Sequence, residues 1–130
     1  MLEIVQKKDT VIIDVRDEEE WLAASSSPYG KDFAPRKGRI PGAIHLMWKD
    51  LMTVQDGVTV MKSPEEVERI CRQKGITKDK QTVVYCFKGA RSSNTYFALR
   101  RSGFNNVRNY FSSWNEWSRN HALPIENHKL

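Results

Sequence analysis

The chain of 130 residues holds only two cysteines, Cys71 and Cys86. One lies inside a helical pattern and the other at the end of an apolar run, and no close Cys or His pair accompanies either. A disulfide framework and a zinc site are therefore not expected, and a reducing compartment or a thiol kept free for chemistry is. Long apolar runs are also missing: none approaches the roughly 20 residues that cross a membrane. The opening MLEIVQKKDTVII places an acid and lysines where a signal peptide carries an apolar core. The expected compartment is cytoplasmic, with no membrane partner. No Lys/Arg-rich block occurs, since the 21 basic residues against 16 acidic ones, net +5, are spread along the chain. Aromatics interleave with cations only from Arg91 to Trp117. Without a concentrated basic face, nucleic acid is not an expected partner. There is no internal repeat, and no Ser or Thr stands in a hydrolase elbow.

With 39% hydrophobic and 28% charged residues, the chain is globular rather than disordered. Its length suits one domain, residues 1–130, with one sizeable core. Met1 precedes the first strand by so little that scant room for a leading helix is expected. The chain then reads as a piece of a longer protein, such as the C-terminal half of a tandem. The run Val11-Ile12-Ile13-Asp14-Val15 reads as a buried parallel strand, and Arg16 to Trp21 as a loop or short helix. Ser25 to Gly38 is a Ser/Pro/Gly-rich loop, and a short strand follows the Pro41-Gly42 turn at Ala43–Leu46. Ser63-Pro64-Glu65-Glu66 carries an N-cap, a first-position proline and a capping-box glutamate, and Gly75 closes that helix. Further strands are expected at Gln81–Tyr85 and Asn106–Tyr110. Helices are expected from a Ser92 or Ser93 cap to Gly103 and from Ser113 to Asn120. Short strands alternating with helices imply an α/β fold: an open, mainly parallel sheet of about five short strands, flanked by helices on both faces.

In such sheets ligands bind beyond the strand carboxyl ends, here Asp14–Arg16, His45–Trp48 and Cys86–Arg91. Only the last carries an obvious reagent, in Tyr85-Cys86-Phe87-Lys88-Gly89-Ala90-Arg91-Ser92. A loop that curls from a strand into a helix can aim several N–H groups, and the helix's positive end, at the cysteine sulfur. Lys88 and Arg91 add full positive charges, and Gly89 permits tight curvature. Thiolate is then favoured over thiol, and Cys86 is expected to be nucleophilic with a depressed pKa. The same cradle suits an anionic substrate or a negatively charged terminal sulfur. The plainer alternative is a buried cysteine with Lys88 and Arg91 merely solvated.

The remaining candidates read as structural. Cys71 sits beside Ile70 on an amphipathic helix as packing, and His45 as a satisfied turn or core histidine. Glu18-Glu19-Glu20 reads as a solvated face, Trp114 and Trp117 as core, and His121 and His128 as tail residues without a site signal.

Four segments in order resemble the rhodanese domain, a sulfurtransferase fold, over nearly the whole chain. Ile12-Ile13-Asp14-Val15-Arg16 is similar to that family's first-strand motif, and Gly38-Arg39-Ile40-Pro41-Gly42-Ala43 to its next turn. Cys86-Phe87-Lys88-Gly89-Ala90-Arg91 resembles its active-site loop, and Tyr110-Phe111-Ser112-Ser113-Trp114-Asn115-Glu116-Trp117 a tract in the catalytic C-terminal domain of tandem members. The resemblance implies two-step sulfur transfer. Cys86 takes the outer sulfur of a donor such as thiosulfate as a persulfide and passes it to cyanide or a thiol. Phe87, Lys88, Gly89, Ala90, Arg91 and Ser92 would bind substrate, with Asp14 and Arg16 supporting. No metal or cofactor is implied. Related phosphatases use Cys-x5-Arg, whereas four residues separate Cys86 from Arg91 here, a ring sized for sulfur rather than phosphoryl. A phosphatase or arsenate reductase is the lesser reading. Lys88 and Arg91 point to an anionic donor. Arg91 either contacts substrate or bridges to Asp14, and Phe87 departs from the basic residue often found there. The second reading is a sulfur-carrying or regulatory module serving a protein acceptor or a second rhodanese domain.

Overall fold

Val11–Asp14 forms strand β1, and every neighbour it takes runs parallel to it. The computed structural model of the chain describes residues 1–7 and 9–127. β1 pairs on one side with β2 (Ile44–His45) and on the other with β5 (Thr82–Tyr85), which pairs with β6 (Val107–Asn109). The four-stranded sheet therefore runs β2-β1-β5-β6, with Ile13 level with both Ile44 and Val84. Between β1 and β5 the order in which the chain adds strands reverses, the place where such sheets open a crevice at the strand carboxyl ends. Cys86 is the first residue beyond β5.

The strand pleat divides the core into two clusters. Ile13, Val15, Val84 and Cys86 face Leu46, Leu51, Val67, Cys71, Leu99 and Phe104. Ile12, Tyr85 and Phe87 face Ile40, Trp114 and Trp117. The first cluster is covered by α3 (Pro64–Gln73) and α4 (Ala90–Arg101). The second is covered by α5 (Ser113–Trp117) and by Leu2, Ile4 and Val5 of α1 (Leu2–Lys7). Helices on both faces leave β5 buried throughout, so it reads as an uninterrupted apolar run.

Ser63 accepts the Glu66 N–H at 3.3 Å, Pro64 opens α3, and Gly75 follows its end at φ +79. Among the described residues the parallel sheet has four strands, against the expected count of about five. A separate antiparallel hairpin joins β3 (Met52–Gln55) to β4 (Val58–Met61), after a single 3-10 turn at Trp48–Leu51. Asp56 and Gly57, at φ +52 and +77, make the two-residue turn that matches strand twist. The expectation of little room for a leading helix is corrected by α1, whose six residues need only one apolar edge to dock. The last helix ends at Trp117, short of Asn120. His128 lies outside the described residues.

Candidate functional site

Because the pleat continues past Tyr85, the Cys86 side chain goes to the α4 face and Phe87 to the Trp114 face. The loop then turns at once. Gly89 takes φ +100 and serves as the N-cap of α4, which begins at Ala90. Ser92 and Ser93 are thus not caps but first-turn residues, and both hydroxyls donate back to the Gly89 carbonyl, at 3.2 and 2.6 Å. A left-handed glycine lets the helix start early, and the N–H groups of Gly89 and Ser92, which have no intrahelical partner, face the sulfur. A Cβ at Gly89 would also lie 2.6 Å from a ring carbon of Phe111 and 2.8 Å from its carbonyl oxygen.

The Gly89 N–H donates to Cys86 Sγ at 3.0 Å, and Ser92 Oγ lies 3.4 Å from the sulfur. Ser92 Oγ accepts from the thiol and can turn its own proton toward a thiolate. Burial pushes the Cys86 thiol up, but the Ser92 hydroxyl, the Ser92 and Gly89 amides and the Arg91 charge outweigh it, leaving the pKa lowered. Cys71 is the contrast: burial, helped by Glu68, pushes its thiol up to about 11. Behind the loop, the Cys86 and Phe87 carbonyls accept the Trp114 and Asn115 N–H groups at 3.1 and 2.8 Å. The start of α5 thus holds the loop's carbonyls while the start of α4 faces the sulfur.

The two loop cations are placed apart, and the bridge from Arg91 to Asp14 is not made. Instead, Arg91 Nη1 and Nη2 donate to Glu20 Oε2 and Oε1 at 2.7 and 3.0 Å, and Asp17 lies 3.8 Å away. Glu20, on α2 (Glu18–Trp21), is 2% exposed, so the acidic run is not a uniformly solvated face. Helical spacing turns this one member inward, and the guanidinium compensates its charge. Lys88 is exposed at the mouth, its Nζ 4.4 Å from the centre of the Tyr29 ring. The neighbouring Ala90 is also exposed. Phe87 is buried, with Tyr29 and Phe33 edge-on to its ring at 5.7 and 5.9 Å.

Asp14 and Arg16 form a fully buried pair, Nη2 to Oδ2 at 2.6 Å. Tyr85 donates to the same oxygen at 2.6 Å, and Arg16 donates to the Gly38 carbonyl and lies over the Trp114 ring. The pleat puts this pair on the Trp114 face, opposite the Cys86 side chain. It ties the first-strand motif to the Gly38 turn. His45, the last residue of β2, donates from Nε2 to the Arg16 carbonyl at 2.8 Å and stacks on Trp21, a satisfied structural histidine. Trp114 and Trp117 are core residues whose indole N–H groups donate to the Arg36 and Pro124 carbonyls. Sequence reasoning missed Ser113, which accepts the Cys86 N–H at 3.1 Å, and Glu20. The inward glutamate had a signal, since it follows an α2 N-cap by three positions.

Residues 1–120 match the family model for the rhodanese-like domain. A "Putative thiosulfate sulfurtransferase" of Saccharopolyspora erythraea is 38% identical over 119 residues, 89% of this chain and 41% of the relative. The "Sulfur carrier protein TtuD" of Thermus thermophilus is 36% identical over 124 residues, 93% of this chain and 42% of the relative. The wild-type structure of EanB superposes with a TM-score of 0.82 at 28% identity, over 97% of this chain and 30% of that one. Another EanB structure, with a cysteine persulfide and ergothioneine, gives 0.83 at 28% identity, with the same coverage. The chain belongs to the rhodanese-like domain family. It spans about two fifths of the length of these curated relatives. The family and the relatives' names support sulfur transfer in general. Among the described residues, no helix is long and apolar enough to cross a membrane.

Proposed function

We propose that this chain is a sulfurtransferase domain in which Cys86 is the nucleophile and thiosulfate, or a similar dianionic compound, is the donor. The Cys86 thiolate attacks the outer sulfur of thiosulfate. A sulfur–sulfur bond forms to Cys86, the donor's sulfur–sulfur bond breaks, and sulfite leaves with the electron pair. The persulfide then gives its terminal sulfur to cyanide or a thiolate, and the Cys86 thiolate returns. No net oxidation occurs and no proton is required in the first step.

The observation that carries this reading is the hydrogen bond from Gly89 N–H to Cys86 Sγ within a cradle that lowers the thiol pKa. In this reading Gly89, Ala90, Arg91 and Ser92 contribute backbone N–H groups at the start of α4. Lys88 attracts the anion, and Phe87 anchors the loop through its buried ring. Asp14 and Arg16 support the loop as scaffold. The Cys-x4-Arg spacing and the engagement of Arg91 by Glu20 both argue against phosphate or arsenate chemistry.

The test is the intact mass after thiosulfate treatment. A gain of about 32 Da, lost on adding cyanide and absent in Cys86→Ser, is expected for the covalent intermediate. No gain in a folded protein sinks the reading. A second reading, a sulfur carrier for a protein acceptor, is favoured by the likeness to the Thermus thermophilus carrier. It predicts the same mass gain without turnover by any small acceptor.

A further inference from the structure

Glu20 and Arg91 come from opposite sides of the crevice, α2 after β1 and α4 after β5. Their two parallel hydrogen bonds, at 2.7 and 3.0 Å, form a fork that fixes direction as well as distance. Glu20 is 2% exposed and also accepts the Asp17 N–H at 3.2 Å. So buried a carboxylate keeps its charge only beside a cation. Each terminal nitrogen of the loop's arginine thereby directs one N–H at Glu20, which fixes the guanidinium against α2.

We propose that Glu20 is a specificity-determining positioning residue of the Cys86 loop: by holding both terminal nitrogens of Arg91 it draws that cation away from substrate, so the ring receives a single sulfur atom and does not clasp a phosphoryl group. The substrate half of this rests on the sulfur-transfer reading, and the geometric half on the fork alone. Arg91 then acts on the sulfur only through its field. The donor's anionic end meets backbone amides and Lys88.

The charges around the sulfur are few. Arg91 comes from α4, Lys88 from the loop, and Glu20 and Asp17 from α2. At the ends of β1 and β5, Asp14 and Arg16 compensate each other beside Tyr85, and α5 presents the uncharged Ser113. Removing the Glu20 charge leaves Arg91 with only the more distant Asp17 carboxylate, at 3.8 Å, to offset it beside the thiol. The thiolate is favoured further and an anionic reagent gains a partner. Loosening of the loop would do the opposite, by dispersing the amides that hold the sulfur.

The test alkylates Cys86 in the whole chain with neutral iodoacetamide and anionic iodoacetate as a function of pH. In Glu20→Gln the alkylation midpoint is expected to fall by about half a pH unit or more. The iodoacetate-to-iodoacetamide rate ratio should rise about threefold or more. Glu20→Asp, which keeps the charge on a shorter arm, should lie between. A midpoint that rises, or a ratio that does not change in a variant with wild-type circular dichroism, overturns the proposal. Should Glu20→Gln fail to fold, Arg91→Lys keeps the charge without the fork. Its ratio rises if the proposal holds, and an unchanged ratio overturns it. Alkylation does not depend on sulfur transfer, so a chain that takes no sulfur from thiosulfate refutes the proposed function and leaves this result standing. Where transfer occurs, Glu20→Gln should lower KM for thiosulfate without raising kcat, and an unchanged KM counts against the proposal.

Discussion

Ser113 holds the backbone of Cys86: its Oγ accepts the Cys86 N–H at 3.1 Å and donates onward to the Tyr110 carbonyl at 2.8 Å. Ser113 is fully buried and sits at φ +53, a conformation that disfavours any residue but glycine and a few polar ones. The first residue of α5 is therefore bent to deliver one hydroxyl beneath the nucleophile candidate. It also turns the first N–H groups of α5 toward the Cys86 and Phe87 carbonyls.

Ser113→Ala keeps the strained φ and strands a buried N–H. A loss of about 1–3 kcal/mol in unfolding free energy is expected, read from urea midpoints. Ser113→Gly loses the same acceptor but relaxes the left-handed residue, so it should be the less damaged of the two. Equal midpoints for the two variants would contradict the idea that backbone strain is stored at this position.

Gly89→Ala meets three obstacles at once: φ +100, the Phe111 ring and the Phe111 carbonyl. A cost of about 2–4 kcal/mol is expected from a left-handed alanine together with overpacking. Adding Phe111→Ala removes the ring but neither the carbonyl nor the φ, so the double variant should recover only part of the lost thermal stability. Full recovery would show that the ring alone demands glycine.

Much of this was legible because local signals and tertiary packing agreed. Buried parallel strands announce themselves as apolar runs, and Ser63-Pro64 with Glu66 specifies the start of α3 from neighbouring residues alone. The hairpin turn is equally local, an Asp56-Gly57 pair between strands that carry Thr53, Val54, Val58, Thr59 and Val60. The hairpin's half-exposed strands are not among the expected elements, because they lack the buried apolar run that marks the parallel strands. What could not be read depends on long-range partners. Glu20 is one of three consecutive glutamates; its place three residues after Asp17 marks it locally, but its pairing with Arg91, which arrives after the neighbouring strand β5, is not written in that segment. Phe87 looked anomalous beside a reactive thiol, because its role follows from the pleat: consecutive residues face opposite layers, so the loop's chemistry and its anchoring are sorted by parity.

That sorting predicts a separation of effects at Phe87. Phe87→Ala removes a buried ring and should cost about 3–5 kcal/mol. Phe87→Leu should cost less. The pH midpoint of Cys86 alkylation should stay at the wild-type value in Phe87→Leu, because the substituted side chain lies on the Trp114 face. A midpoint shifted toward the ordinary thiol range would mean that the ring helps aim the amides.

The two cysteines should shape the pH dependence of stability in opposite senses. Cys86 has a lowered pKa in the fold, from amides, the Ser92 hydroxyl and Arg91 overcoming burial. Its ionisation therefore stabilises the native state above the unfolded thiol pKa, and that contribution is lost as pH falls through the folded value. Cys71 is raised to about 11, first by burial and then by Glu68. Its contribution is complete below the unfolded thiol pKa and disappears as pH rises toward about 11. Unfolding free energies of wild type, Cys86→Ala and Cys71→Ala, measured across neutral to alkaline pH, separate the two. The gap between wild type and Cys86→Ala should widen with rising pH, and that between wild type and Cys71→Ala should narrow. Parallel curves for all three proteins would mean that neither thiol differs between its folded and unfolded environments. The anion cradle at Cys86 would then contribute nothing to the fold.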